Sequence, residues 1–372
     1  MNKKVSLITV HTGPNFGTVL QVIATSRVLE RHGFTTEVVN YIPPRDELCS
    51  LKKTIKDRIK QTKSPLRKVI RFLGGVDKIR RFKNNERIYI GCLKQNVSLS
   101  APIHSYDSFK EGCPLADFYV TGSDQVWNTI YNEGVDSHYF FYGVDGVKIA
   151  FSSSIGQTEL NDEEKHLFRK YLKDYRAISV RESSAVELLK SIGIDTMQLI
   201  DPTLMINREE WGKMVDNRLF SKKYLLVYIP YNIHDKEEIY RLARRVAVSR
   251  NLKVVTFSWS NLKEPLADYT FRGASPMDFL SLIYHADYVI TNSFHGTAFS
   301  VNLNRDFFVF LPTKFVSRVE NILDMVQLRE RLIPFGKGDE TDISTPVMFE
   351  KANAILKKKR EEVDEFIMKS FV

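Results

Sequence analysis

An apolar run followed by a polar turn occupies residues 286–296, which read A-D-Y-V-I-T-N-S-F-H-G. The pattern indicates a strand that ends where a helix begins, so that His295 lies in the first helical turn. Backbone N–H groups there have no partner within the helix and attract anions. We therefore expect His295, with Ser293 and Gly296, to hold a phosphate or carboxylate, although an isolated histidine often has only a structural role.

Further polar segments follow other predicted strands, and in an open parallel sheet such segments meet at one edge. Residues 11–17, H-T-G-P-N-F-G, carry two glycines that could let the backbone approach an anion, or they form an ordinary turn. Residues 122–128, G-S-D-Q-V-W-N, combine Asp124 with an amide and an aromatic ring, a set suited to binding a sugar. The alternative is that Ser123 or Asp124 caps a helix and Trp127 packs in the core.

Three more strand ends carry weaker signals. The small hydroxyl residues of S-S-S-I-G at 152–156 could line a pocket. Arg181 follows a strand, where its guanidinium could bind a carboxylate or phosphate through two hydrogen bonds. It could equally pair with Glu182 or Glu187. The D-P pair at 201–202 is typical of a turn.

Short apolar runs alternate with helical patterns along most of the chain, which is typical of an α/β fold. Strands are predicted at 5–10, 36–39, 118–121, 148–151, 177–180, 198–200, 224–229, 254–258, 288–291 and 307–310, and helices at 16–31, 162–175 and 182–191. The S-P-M-D segment at 275–278 is typical of a helix start. The pattern resets near 205–222, which predicts an N-terminal α/β domain over 1–204 and a second over 205–344. A charged amphipathic helix over 345–372 follows, and we expect it to pack back on the first domain.

Composition limits the class of protein. A chain of 372 residues usually contains two domains, and 43% hydrophobic residues argue against wholesale disorder. The N-terminus does not resemble a secretory signal, and no apolar run is long enough to span a bilayer. Three widely spaced cysteines favour a cytoplasmic protein without a disulfide framework or a metal site; they are Cys49, Cys92 and Cys113.

The positive charge is concentrated in one segment. Residues 52–83 carry thirteen Lys or Arg but only Asp57 and Asp77, interleaved with apolar residues. Such a segment could lie on an anionic membrane surface, grip nucleic acid, or form a solvated helical arm. We favour the membrane surface and expect no nucleic acid.

Several motifs together resemble those of the polysaccharide pyruvyl transferase family. They are N-F-G at 15–17, G-S-D-Q-V-W-N at 122–128, S-V-R-E at 179–182, D-P at 201–202, T-N-S-F-H-G-T at 291–297, and Arg318 and Arg329 on either side of Ile322-Leu323. The resemblance runs from about residue 10 to 335. It implies two Rossmann-like domains in a GT-B-like arrangement, with the active site in the cleft between them.

The resemblance also implies an activity, the transfer of the enolpyruvyl carbons of phosphoenolpyruvate to a sugar of a polysaccharide or a polyprenyl-diphosphate-linked precursor. The product is a pyruvate ketal, and neither a metal nor a resident cofactor is required. The implied catalytic residues are His295, Arg181 and Asp124. On the second domain, the implied donor site comprises Ser293, His295, Gly296 and Arg318, together with Arg181; on the first, the implied acceptor site comprises Asn15, Ser123, Asp124, Gln125 and Trp127.

One position departs from the family pattern. Many relatives carry arginine directly before the histidine, where this chain has Phe294. Either Arg181, Arg318 or a lysine compensates, or the donor binds differently. Two other functions remain as alternatives: a GT-B-type glycosyltransferase that uses a nucleotide sugar, and a basic membrane- or nucleic-acid-binding protein with a vestigial cleft.

Overall fold

The computed structural model describes residues 2–11, 13, 15–43, 47–104, 106–215, 217–230, 236–258, 262–311 and 316–372. Two positions of the predicted 11–17 turn, Thr12 and Pro14, lie outside these residues, as does the side chain of Cys49.

Two six-stranded sheets organise the chain, and every strand pairing within them is parallel. The first sheet has the order β2-β1-β3-β4-β5-β6 and contains β1 (Lys4–Ile8), β2 (Thr35–Val38), β3 (Phe118–Thr121), β4 (Val147–Ser153), β5 (Tyr175–Val180) and β6 (Met197–Gln198). The second has the order β12-β11-β10-β7-β8-β9 and contains β7 (Tyr224–Tyr228), β8 (Lys253–Ser258), β9 (Tyr269–Arg272), β10 (Tyr288–Thr291), β11 (Asp306–Phe310) and β12 (Leu332–Ile333).

Helices connect the strands and cover the sheets. They are α1 (Phe16–Arg31), α2 (Glu47–Lys60), α3 (Pro65–Asn96), α4 (Tyr106–Gly112), α5 (Asp162–Leu172), α6 (Ser183–Ser191), α7 (Pro202–Met205), α8 (Arg208–Lys213), α9 (Lys236–Ser249), α10 (Pro276–Tyr284), α11 (Phe294–Asn302), α12 (Val316–Met325) and α13 (Glu350–Ser370). None of the helices in the described part of the chain combines the length and the apolar character that a membrane span needs.

The fold prediction is confirmed, because both sheets have doubly wound, Rossmann-like topologies. Counted from β7 and read from the β9 edge, the second sheet has the strand order 3-2-1-4-5-6, and the first has the flavodoxin-like order extended by one strand. The strand order reverses between β1 and β3 in one sheet and between β7 and β10 in the other. Ligands of such sheets bind beyond the strand ends at these reversal points.

Local sequence explains the main helix starts. The predicted start at Ser275 is confirmed: its hydroxyl accepts a hydrogen bond from the backbone N–H of Asp278, whose carboxylate accepts one in return from the Ser275 N–H. Asn161 and Asn207 form the same reciprocal cap with Glu164 and Glu210. These caps satisfy N–H groups that the helix itself cannot pair.

Most predicted strands and helices are confirmed to within about three residues, with two strands missed. The edge strand Tyr269–Arg272 has only four residues and none of them is buried, and Leu332–Ile333 is too short to show a period. The predicted helix 162–175 ends earlier, at Leu172, because Tyr175 already belongs to β5.

One hydrophobic cluster contains buried residues of both domains, whereas two further clusters each belong to a single domain. Phe16, at the start of α1, stacks on Phe279 of α10 with ring centroids 5.0 Å apart, and on Tyr89 of α3 at 5.6 Å. The C-terminal helix α13 also joins the domains. Its Phe366 packs on Phe151 of β4 at 6.1 Å, and its residue Arg360 donates to the Leu204 carbonyl at 2.8 Å.

We expect Phe366→Ala to lower the free energy of unfolding by about 3–5 kcal/mol, the usual cost of removing a buried aromatic ring. The matched control is Met368→Ala on the same helix, because Met368 is 63% exposed whereas Phe366 is 6% exposed. Urea unfolding followed by circular dichroism measures both. Equal, small effects would contradict the packing of α13 on the first sheet.

Candidate functional site

Four charged or titratable side chains converge where the carboxyl ends of the two sheets face each other. Asp124 follows β3 and Arg181 follows β5, whereas His295 lies in the first turn of α11 and Arg318 lies in α12. Each of the four is at most 6% exposed. The sequence therefore placed three of them correctly at strand ends, and the structure brings first-domain and second-domain groups together at one interdomain seam.

His295 is held at the start of α11 by a local cap. The Ser293 hydroxyl accepts a hydrogen bond from the Gly296 backbone N–H at 3.4 Å. Gly296 is required there, because a Cβ would collide with the Thr291 hydroxyl. The Nε2 atom of His295 is buried and has no hydrogen-bond partner among the described residues. A buried, unpartnered ring nitrogen in a cleft is a candidate for contacting a ligand.

The electrostatic surroundings favour the neutral form of this imidazole. Burial lowers the pKa of His295 below its ordinary value. The Asp201 and Asp124 carboxylates act in the opposite direction, and the guanidiniums of Arg181 and Arg318 reinforce the lowering of this pKa. A bound dianion would add negative charge and raise the pKa, so His295 can accept a proton when such a ligand arrives.

Gly17 allows the two domains to approach each other at the histidine. A Cβ built on Gly17 would overlap the Cγ and Nδ1 atoms of His295. The preceding Asn15 caps α1, and its side chain accepts a hydrogen bond from the Gly17 N–H at 2.9 Å. In the N-F-G motif, Asn15 therefore caps α1, Phe16 packs in the core, and Gly17 leaves the space that the His295 imidazole occupies. The predicted acceptor residue Asn15 thus lies beside the site with its side-chain oxygen already used.

Asp124 has a strained backbone and a fixed carboxylate. Asp124 and Gln125 have φ angles of 63° and 60°, a left-handed conformation that non-glycine residues adopt at a cost and that clusters at functional sites. The Asp124 Oδ2 atom accepts a hydrogen bond from the Thr18 hydroxyl at 2.6 Å. Its Oδ1 atom lies 3.9 Å from Nη1 of Arg318. The side-chain amide of Gln125 lies 3.0 Å from Nη2 of the Arg318 guanidinium.

The guanidinium of Arg181 forms its hydrogen bonds with acceptors of the first domain. Its Nε donates to Glu182 at 3.1 Å, and Nη1 donates to Asp201 Oδ2 at 2.8 Å. Nη1 also donates to the Ser123 hydroxyl at 3.3 Å, and Nη2 lies 2.9 Å from the Ser154 hydroxyl and 3.1 Å from Glu182. Four of the five guanidinium N–H donors therefore form hydrogen bonds within the first domain, and Nη2 also lies within ion-pair distance of Glu182.

Both members of the Arg181–Asp201 pair stay charged. Burial alone lowers the pKa of Arg181, but Glu182, Asp201 and Asp124 raise it above its ordinary value. Burial alone raises the pKa of Asp201, but Arg181 and His295, with two hydrogen bonds from Thr203, lower it below 3.8. The aspartate of the D-P pair, expected to form an ordinary turn, thus also supplies a counter-charge to Arg181, next to Glu182.

Phe294 lies between two cations. Its ring centroid is 4.9 Å from Cζ of Arg181 and 5.7 Å from Cζ of Arg318. Guanidiniums at this distance from an aromatic ring are attracted to it, whereas a third arginine here would be repelled by both. The departure from the family pattern therefore has a local physical reason.

A pocket opens beside this cluster on the side of α12. Its lining is Arg181, Glu182, Gln198, Leu199, Ile200, Asp201, Leu204, Phe294, Arg318, Asn321, Ile322, Met325 and Lys359. The Ser183 hydroxyl of α6 lies 3.0 Å from Asn321 Oδ1 of α12, a hydrogen bond that joins the two domains near this pocket. The described residues contain no group of three or more His, Cys, Asp or Glu positioned to hold a metal ion.

Trp127 is not part of the site. Its indole is 1% exposed, stacks on Phe140 at 5.1 Å, and donates to the Tyr139 carbonyl at 3.2 Å. The expected stacking of Trp127 on a sugar is therefore corrected to a core role. Ser123 is also fully buried, where its hydroxyl contacts Arg181. Thr18 was missed, because a threonine inside a helix carries no signal of its own.

A family model described as polysaccharide pyruvyl transferase matches residues 15–312. The chain belongs to this family. The match spans all four converging residues except Arg318, which lies just beyond its end. No curated protein matches the chain.

The chain is also similar to several solved structures at low sequence identity. They include the Staphylococcus aureus MnaA–UDP structure, with 12% identity, coverage of 99% of this chain and 88% of that one, and a TM-score of 0.46. The UDP-GlcNAc 2-epimerase from Methanocaldococcus jannaschii has 10% identity, coverage of 96% and 99%, and a TM-score of 0.47. Arabidopsis thaliana UGT89C1 has 11% identity, coverage of 99% and 95%, and a TM-score of 0.43.

We expect Asp201→Asn to lower the free energy of unfolding by about 1–3 kcal/mol near neutral pH, because it removes one of the carboxylates that pair with the buried guanidinium of Arg181 while Glu182 and Asp124 remain. The native pKa of Asp201 is depressed, so its contribution is present above the ordinary carboxyl pKa of 3.8 and is lost as the pH falls through the lower native value. The difference in the free energy of unfolding between the wild type and Asp201→Asn should therefore become smaller at acidic pH.

The matched control for this change is Asp324→Asn, which breaks the exposed Asp324–Arg329 ion pair. It should leave stability nearly unchanged at every pH, because exposed pairs contribute little. Urea titrations at several pH values measure all three proteins. A difference in unfolding free energy between the wild type and Asp201→Asn that grows at acidic pH would contradict the charged state assigned to the Arg181–Asp201 pair.

Proposed function

We propose that this protein transfers the enolpyruvyl carbons of phosphoenolpyruvate to two hydroxyls of a sugar, in a polysaccharide or a lipid-linked glycan precursor, forming a pyruvate ketal and releasing phosphate. The observation that carries the proposal is the convergence across the seam: an imidazole and a guanidinium of the second domain face a carboxylate of the first. The family match supports the reaction class.

The donor carries a phosphate and a carboxylate, so its site needs at least two cationic or N–H-rich anchors. We assign these to Arg318, to Nε2 of His295 and to the free N–H groups at the start of α11, next to Ser293 and Gly296. Arg181 was expected to clamp the donor. Because its guanidinium already forms four hydrogen bonds to its own domain, we assign it instead to positioning Asp201 and the 122–128 turn.

The reaction needs one base and one acid. The donor methylene carbon gains a proton, which leaves an oxocarbenium-like centre at the neighbouring carbon, and one sugar hydroxyl adds there. Phosphate leaves as the second hydroxyl adds. Of the two hydroxyl protons, one balances the proton gained by the methylene carbon and the other leaves with phosphate. Asp124 positions or deprotonates the acceptor hydroxyls, and His295 stabilises or protonates the departing phosphate.

The acceptor side of the proposed site belongs to the first domain. Asp124 faces the seam with Gln125 beside it, and Thr18 fixes the carboxylate orientation. The buried Ser123 hydroxyl supports this turn by accepting a hydrogen bond from Arg181. Asn15, the cap of α1, lies beside the turn. We therefore retain Asp124 and Gln125 as acceptor contacts and assign Asn15 and Ser123 to shaping the site.

The direct test incubates the full chain with phosphoenolpyruvate and a panel of glycans, including galactose-containing and lipid-linked ones. Phosphate release together with a product heavier by one pyruvyl group supports the proposal. Calorimetry separates it from the glycosyltransferase alternative. Binding of phosphoenolpyruvate without UDP or GDP supports the pyruvyl transfer, whereas binding of a nucleotide alone would overturn it.

We expect His295→Gln and Asp124→Asn each to reduce turnover by about 100-fold or more, because each removes a proton-transfer or charge-stabilising group. His166→Gln is the control, since His166 is an exposed histidine on α5. Phosphate release measures all three. Full activity in His295→Gln would remove this imidazole from the mechanism.

We expect Gly17→Ala to reduce turnover at least tenfold, because its methyl group would displace the His295 ring. Gly91→Ala is the matched control: Gly91 also lies in a helix, and nothing lies within 4 Å of a Cβ built there. That variant should keep full activity and gain up to about 1 kcal/mol of stability from helix propensity. Equal activities of the two variants would contradict the close approach.

A further inference from the structure

The basic segment 52–83 forms a helical hairpin that projects from the first domain. Helix α2 packs along the first half of α3, and the two helices contain nearly all of this segment. The second half of α3 belongs to the protein core, where Tyr89 is 2% exposed. Because α3 is one continuous helix of 32 residues, the hairpin is fixed to the body of the protein.

One side of α3 is occupied by α2. Gly75 is buried, and a Cβ built there would collide with the Ile55 side chain of α2. Ile55 belongs to the partly buried face of α2, together with Leu51 and Ile59 at four-residue spacing. Arg71 turns toward α2 as well and donates to the Arg58 carbonyl at 2.9 Å. Gly75 and Arg71 therefore mark the side of α3 that faces α2.

The opposite side of α3 is apolar and exposed, the reverse of an ordinary surface helix. At about 100° of rotation per residue, the apolar residues lie between roughly 100° and 220° around the helix from Gly75. They are Leu66, Val69, Ile70, Leu73 and Val76, with exposures of 71%, 55%, 60%, 60% and 49%. Phe72, at 57%, borders them. We call these six residues the apolar stripe. A contiguous exposed stripe of this kind marks an interaction surface.

The charge around the stripe identifies its partner. The segment has thirteen basic and two acidic residues. A second copy of the hairpin would bring the same strong positive charge against it, so self-association is disfavoured. Nucleic acid would satisfy the charge but would leave the apolar stripe in water. An anionic bilayer satisfies both, because its headgroups attract Lys and Arg while the boundary with the acyl chains accepts apolar side chains.

We propose that the basic hairpin docks this protein on anionic lipid bilayers, with the apolar stripe inserted at the headgroup level and the basic side chains on the lipid headgroups. The inference stands on the hairpin alone and does not depend on the reaction at the interdomain site. Docking would hold that site at the membrane surface, since α3 connects the hairpin to α1 and α10.

Flotation of the full chain with vesicles tests the proposal. Vesicles of phosphatidylcholine with phosphatidylglycerol should carry the protein at low salt. High salt, or phosphatidylcholine alone, should reduce the bound fraction at least tenfold. Absence of the protein from anionic vesicles at low salt overturns the proposal, and so does binding that salt and lipid charge do not change.

Two variants separate the apolar from the charged contribution. The first, Leu66→Ser with Ile70→Ser and Leu73→Ser, should bind anionic vesicles at least tenfold more weakly, whereas a control with Ile130→Ser, Val248→Ser and Met348→Ser at other exposed positions should bind normally. The second, Lys63→Glu with Arg67→Glu and Arg80→Glu, should also lose binding. Its control with the same charge change on α13, Lys351→Glu with Lys357→Glu and Lys358→Glu, should retain it.

Further measurements distinguish membrane docking from self-association and from nucleic-acid binding. One more separates it from the proposed enzymatic activity. Sedimentation that shows a dimer abolished by the stripe variant would overturn membrane docking in favour of self-association. Retention on duplex DNA or RNA that the stripe variant keeps, without vesicle binding, would overturn it in favour of nucleic acid. His295→Gln should float like the wild type, so a failure of the enzymatic proposal leaves this result unaffected.

Discussion

The buried guanidinium of Arg181 is the interaction on which the site depends. It lies at the carboxyl end of the first sheet, where it connects β5 to the turn after β3 through Ser123 and to the turn after β6 through Asp201. Removing a cation from water is expensive, and the surrounding carboxylates offset that cost only in this arrangement. The network therefore fixes the turn that carries Asp124.

The second constraint is the seam between the domains. His295 reaches the first domain only because Gly17 has no side chain, and Arg318 lies 3.9 Å from Asp124 across the same boundary. The shared core around Phe16 and the returning helix α13 hold this geometry. A site divided in this way can keep a donor on one domain and an acceptor on the other, which suits a transfer between two substrates.

Phe294 shows how one substitution changes the charge distribution without losing the architecture. Its ring lies close to the guanidiniums of both Arg181 and Arg318 and attracts each of them, and it adds no third positive charge there. Positive charge at the seam is then supplied from α12, whose residue Arg318 lies outside the strand-end turns. The basic hairpin differs from the site, because its charged side chains and its apolar stripe face outward.

The sequence by itself determined the α/β class, the strands with clear apolar runs, the cap at Ser275, and the residues at strand ends that carry charge. These follow from local periodicity and turn chemistry, which act over a few residues. Only the tertiary structure decided which of those residues meet. It placed Trp127 in the core, directed four hydrogen bonds of Arg181 to its own domain, and brought Thr18 to Asp124. It also exposed the apolar side of α3, because burial depends on which face a neighbouring element covers, and no local pattern specifies that.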